Sequence, residues 1–81
     1  MKFELYTRVA LATDMPEYRL KKGDLATVVD YLVAEDDGAP GYALEVLNAL
    51  GETIDVIDAA ESDLEPLRSD EILNARHLVE A

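Results

Sequence analysis

The sequence contains no cysteine and no tryptophan. The missing cysteine removes disulfide scaffolds, thiol catalysis and zinc–cysteine sites together. A secreted domain of this size ordinarily needs such staples, so their absence predicts an intracellular, cytoplasmic protein. Histidine occurs once, as His77. Nucleophilic triads and hydrolytic zinc sites need histidine with closely placed companions, so His77 is read as a surface or packing residue. Gly23 and Gly51 lack the spacing of a phosphate loop or a dinucleotide fingerprint, and turn geometry accounts for each. No uncharged run approaches the length of a membrane span. The first residues, Met1-Lys2-Phe3-Glu4-Leu5, carry charge inside their apolar stretch, which is not a signal-peptide pattern.

Positive charge is also scarce. Seven Lys and Arg stand against 18 Asp and Glu, for a formal net charge of −11. Nucleic-acid binding draws most of its affinity from phosphate neutralisation by cations, so this balance disfavours nucleic acid and anionic membranes alike. The cations are unevenly placed. Lys2, Arg8, Arg19, Lys21 and Lys22 precede Asp30, and no Lys or Arg follows until after Glu65. The chain is therefore electrically polarised. Its 49% apolar content is more than a disordered acidic tail carries, so a fold is expected. At 81 residues it makes one domain and offers little interior for a deep pocket, which argues against an enzyme.

The hydropathy pattern is mainly that of strands. From Phe3 to Ala12, Phe3, Leu5, Val9 and Leu11 share one parity, with Lys2, Glu4 and Arg8 on the other. Asp14 to Asp24 reads as a long loop whose Tyr18 and Leu20 pack back on the sheet. Leu25–Val33 is β-branched and apolar on both parities, a second strand. Glu35–Gly41 is a hairpin tip by its turn residues. Tyr42–Leu47 is a third strand, with Tyr42, Leu44 and Val46 facing one way and Ala43 and Glu45 the other. Asn48–Gly51 is a tight turn with Gly51 at a left-handed position. Glu52–Asp58 is a fourth strand with Ile54 and Val56 inward and Asp55 outward. Ser62–Leu67 is a turn into a brief closing strand. Ser69 suits a helix N-cap, Asp70 and Glu71 suit a first turn, and Ile72, Ala75 and Val79 share one helical face. The expected architecture is a mainly β, SH3-like five-stranded barrel over residues 1–68 with an α-helix over 69–81 in the same domain. The second choice is an open antiparallel sheet with that helix across one face.

Several stretches, taken in order, are similar to a known family. They are Val9-Ala10-Leu11, Asp14-Met15-Pro16-Glu17-Tyr18, Leu20-Lys21-Lys22-Gly23-Asp24 and Thr27-Val28-Val29. Tyr42-Ala43-Leu44-Glu45-Val46, Gly51-Glu52-Thr53, Leu64-Glu65-Pro66-Leu67 and Asp70-Glu71-Ile72-Leu73 follow. Together they resemble the small bacterial proteins of domain-of-unknown-function family 4926 across nearly the whole chain. Ala26 stands where that pattern often has glycine, so an ordinary strand conformation is expected there. The resemblance implies bacterial origin and an SH3-like fold. It implies no activity and no catalytic residue, and suggests partner binding of an antitoxin-like kind.

Candidate chemistry is sparse. Glu35, Asp36 and Asp37 lack the alternating twelve-residue spacing of a calcium loop, so a solvated tip is the simpler reading. Asp55, Asp58, Glu61, Asp63 and Glu65 form an acidic run, read as a solvated face or, more sharply, as a docking patch for a basic partner. Neither run implies a metal or a cofactor. Tyr18, Arg19, Lys21 and Lys22 set an aromatic beside three cations, a composition suited to a peptide or an acidic surface. The plainer account packs Tyr18 under its own loop. The residues expected to bind a protein partner are therefore Tyr18, Arg19, Lys21 and Lys22, with Ile72, Ala75 and Val79 on the helix. A non-catalytic protein-interaction module is the expected function. A small-ligand or nucleic-acid module is the alternative, disfavoured by charge and by few aromatics. Oligomeric state is open.

Overall fold

The computed structural model describes residues 2–32 and 40–78. Val33, the acidic tip Glu35–Ala39 and Val79 lie outside them. Five strands follow in order: β1 Arg8–Leu11, β2 Leu25–Leu32, β3 Gly41–Leu47, β4 Thr53–Ala60 and β5 Leu64–Pro66. They form one antiparallel sheet in the order β4-β3-β2-β1-β5. Alternation builds its inner face. Val9 and Leu11, Ala26 and Val28, Tyr42, Leu44 and Val46, Ile57 and Ala59, and Leu64 all point into one core, joined by Phe3, Met15 and Leu20. Ala26 lies within β2 and is absent from the residues of positive φ; Gly23, at φ +92°, takes that conformation just before the strand.

The sheet is curled but does not close as the expected barrel. β4 and β5 lie at opposite edges, which in a flat five-stranded sheet would be about 19 Å apart. Yet only the 3-10 turn Glu61–Asp63 joins them, a reach of at most about 14 Å between Ala60 and Leu64. The sheet must therefore coil to bring its edges to one corner. A ladder between them does not form, because β5 has three residues and ends at Pro66, which has no N–H to donate.

Two strand expectations are corrected. The chain does not run extended from Phe3. It turns over Glu4–Thr7, where the Thr7 amide bonds the Glu4 carbonyl and Tyr6 takes φ +67°, so the first strand starts at Arg8. In β4, Ile54 and Val56 face outward and Ile57 and Ala59 inward. The cause is a bulge: Val46 pairs with Asp55 but Leu47 with Thr53, leaving Ile54 as the extra residue.

The C-terminal helix is also corrected. Among the described residues there is no α-helix, and residues 71–77 are irregular. One turn starts: the Glu71 amide bonds the Arg68 carbonyl at 3.2 Å, and the Arg68 amide bonds Glu71 Oε1 at 2.5 Å. It does not propagate. An isolated helix this short is marginal in water unless its apolar face is buried. Ile72 is 92% exposed, so no such burial is gained.

One buried phenol ties the corner together. Tyr42 is fully buried, with the Phe3 and Tyr31 rings edge-on at 5.6 and 5.7 Å. Its hydroxyl accepts the Phe3 amide at 3.2 Å and donates to Glu61 Oε2 at 2.6 Å. The Glu61 amide bonds the Pro40 carbonyl, and the Ala12 amide bonds the Asp63 carbonyl. Burial first, and then the Glu61 carboxylate, raise the phenol above its ordinary value of 10.0.

Tyr42→Phe leaves a buried amide and a carboxylate without their shared partner. It is expected to cost about 1–3 kcal/mol in urea unfolding, with an unchanged denaturant slope. The neutral phenol's contribution is complete below pH 10.0 and is lost as pH rises through the higher folded value. Stability of the parent chain should therefore fall above pH 10.0, more steeply than that of Tyr42→Phe.

Candidate interaction surfaces

The first candidate group sits on the loop between β1 and β2. Met15 and Leu20 exchange both backbone hydrogen bonds, at 2.9 and 3.0 Å, and close a small ring of chain over the 3-10 turn Pro16–Tyr18. Both side chains are buried, and Tyr18 packs half-buried against the core. Arg19, in the left-handed region at φ +60°, and the next residues Lys21 and Lys22 are exposed. Carboxylates hold this backbone: Asp14 Oδ1 accepts the Lys22 amide at 2.8 Å and Asp24 Oδ2 the Lys21 amide at 2.7 Å.

The second group lies on the tail after β5. Its Ile72 and Ala75 are exposed and share no helical face; Val79 is outside the described residues. The structure nevertheless joins this tail to the first group. The Arg76 guanidinium forks onto the Asp24 carboxylate across 52 residues of sequence, with Nε to Oδ1 at 2.9 Å and Nη2 to Oδ2. Nη2 also donates to the Arg19 carbonyl at 3.2 Å, and Nη1 to the His77 carbonyl at 3.1 Å. The forked geometry suits arginine, whose planar donors match a carboxylate. Burial pushes the Asp24 carboxyl upward, but the Arg76 hydrogen bonds, the Lys21 amide and both cations outweigh it and hold it below 3.8. Neither Asp24 nor Arg76 stood out in the sequence, since nothing local marks a pair so far apart.

The acidic run is not a uniform solvated face. Asp55 Oδ1 takes the Val56 amide at 2.9 Å, and Asp63 Oδ2 takes the Ala60 amide at 3.2 Å. Glu61 holds Tyr42. Asp30 takes the Tyr31 amide in the same way at 2.8 Å. Asp30, Asp55 and Asp63 thus occupy strand amides, and an open edge amide would recruit a foreign strand. Among the described residues no group of three or more His, Asp or Glu side chains is placed to hold a metal ion. No helix of the described residues is long and apolar enough to cross a membrane. A shallow concavity lined by Glu65, Pro66, Arg68, Asp70 and Glu71 opens to solvent beside the start of the tail.

Fold and surface together define a small, mainly β protein with a curled antiparallel sheet and a clasped tail. Residues 5–66 match the model of the family described as Domain of unknown function (DUF4926), and the chain belongs to that family. The matched stretch ends at the last residue of β5, so Asp24 lies within it and Arg76 beyond it. No curated protein and no solved structure matches the chain.

Arg76→Ala should free the tail and leave the sheet intact. Amide exchange is expected to rise along residues 68–78, with a change in global stability of about 1 kcal/mol or less. Because the Asp24 value is depressed, the clasp's stabilisation is present above pH 3.8 and is lost as pH falls through the folded value. Tail exchange in the parent chain should reach that of Arg76→Ala only in that acid range.

Proposed function

We propose that this protein is a non-catalytic protein-interaction module, which binds a partner protein and in an antitoxin-like way blocks its action. The observation that carries this reading is the Arg76–Asp24 clasp. It joins the loop bearing Arg19, Lys21 and Lys22 to the tail bearing the exposed Ile72 and Leu73. Cations beside apolar side chains on one clasped unit suit a protein surface with carboxylates around an apolar pocket. The carboxylates that might have suggested acid–base chemistry bond backbone amides and a phenol, and His77 lies in the exposed tail. Their placement supports a scaffold role over a catalytic one. Bacterial origin and a cytoplasmic setting belong to the same reading.

The test is co-purification from the native host at physiological salt, followed by measurement with the isolated partner. Lys21→Glu with Lys22→Glu and Ile72→Ser should weaken binding at least roughly tenfold while the melting temperature holds. A partner held equally well by this variant and by Arg76→Ala would show that the loop and tail are not the contact surface. Finding no partner at all would sink the interaction reading itself.

A further inference from the structure

The hairpin of β3 and β4 has an outer face that the loop and tail do not use. Leu47, Leu50, Ile54 and Val56 are all exposed on this one unit, Leu50 at 85% and Val56 at 58%. Single exposed apolar residues are ordinary on protein surfaces. These arise together from one backbone feature. In a regular ladder the 54/56 parity would feed the core. The bulge at Ile54 gives the core Ile57 and Ala59 instead and turns Val56 outward, opposite Glu45. Bulges commonly re-aim side chains in this way.

The surrounding charge has one sign. Glu45, Glu52, Asp55 and Asp58 lie on the same hairpin, and it contains no Lys or Arg. Thr53 holds Glu45 Oε2 at 2.9 Å, and Asn48 holds Glu52 Oε1 at 2.9 Å, so two of these carboxylates are fixed in place. The strand edge offers little to an added strand, because the Val56 and Ala60 amides already bond Asp55 and Asp63. Recognition here must therefore use side chains. A second copy would set acid against acid, and nucleic acid or an anionic membrane would be repelled for the same reason.

We infer that the outer face of the β3–β4 hairpin is a docking surface for a basic amphipathic segment of a protein partner. Its apolar side is seated on Leu47, Leu50, Ile54 and Val56, and its Lys or Arg side chains meet Glu45, Glu52 and Asp58. This surface shares no residue with the loop and tail, so the two stand or fall separately.

The probe is a short amphipathic peptide of leucine and lysine, titrated into the full chain at physiological salt. Oligolysine of equal charge and the leucine–glutamate counterpart serve as controls. The leucine–lysine peptide should bind saturably and shift the amides of Leu47, Ile54 and Val56, and the glutamate peptide should not bind. Leu50→Ser with Val56→Ser should weaken binding roughly tenfold at an unchanged melting temperature. Asp58→Lys, a change at an exposed acid, should weaken it independently and covers the case in which the serine variant folds poorly. The inference is overturned if oligolysine binds as tightly as the leucine–lysine peptide, or if both variants bind like the parent. Shifts confined to residues 14–24 and 67–78, or self-association of the chain through this hairpin in sedimentation velocity, overturn it equally.

Discussion

The fold depends on a hydrogen bond between a buried phenol and a carboxylate at the corner where the sheet's two edges meet. Tyr42 comes from β3, beside the edge strand β4, and Glu61 from the turn after β4, and the Phe3 amide arrives from the start of the chain. A five-stranded sheet this small cannot bury enough apolar surface while flat; it must coil, and the coil must be held. The three-residue corner does the coiling. The Tyr42–Glu61 bond, at 2.6 Å in partly buried surroundings, holds it where water competes poorly. Phe3 and Tyr31 seal the ring edges, so the bond and the core reinforce each other.

The same economy runs through the rest of the acidic side chains. A chain with 18 acids would ordinarily carry most of them as solubilising surface. Here Asp30, Asp55 and Asp63 each accept an amide from a strand residue, and Asp14 and Asp24 accept amides of the β1–β2 loop. Such bonds protect a curled open sheet, which, unlike a closed barrel, keeps its edges. Pro66 does the equivalent work at the other edge by having no amide hydrogen at all. The negative charge is thus part of how the sheet's backbone is satisfied as well as part of its surface field.

Asp24 shows how structure and contact surface meet. Its backbone carbonyl holds Leu11, its carboxylate holds the Lys21 amide, and the same carboxylate receives Arg76. The family match ends at Pro66, and the tail beyond it is fastened to the matched sheet by the forked Arg76–Asp24 pair and by the Arg19 carbonyl. An ion pair at side-chain exposures of 29% and 20% is a modest, solvent-screened fastening. It sets the tail's position without drawing it into the core.

Much of the scaffold was legible in the residues alone. The parity of Tyr42, Leu44 and Val46, the apolar run of β2, the glycine of the Asn48–Gly51 turn and the brief strand after Ser62 all follow from local sequence. So does the return of Tyr18 and Leu20 onto the sheet. Each depends on neighbours in the chain, and side-chain alternation and turn chemistry are local properties. What the tertiary structure alone decided is of another kind. The outward turn of Val56 depends on how β4 pairs with β3 across a bulge, and the open sheet depends on what Pro66 withholds from β4. The absent helix depends on whether any apolar surface meets Ile72. The joining of the two expected contact groups rests on Arg76 and Asp24, 52 residues apart. Strand register, burial and ion pairing at that distance are set when the chain folds on itself, and no local pattern encodes them.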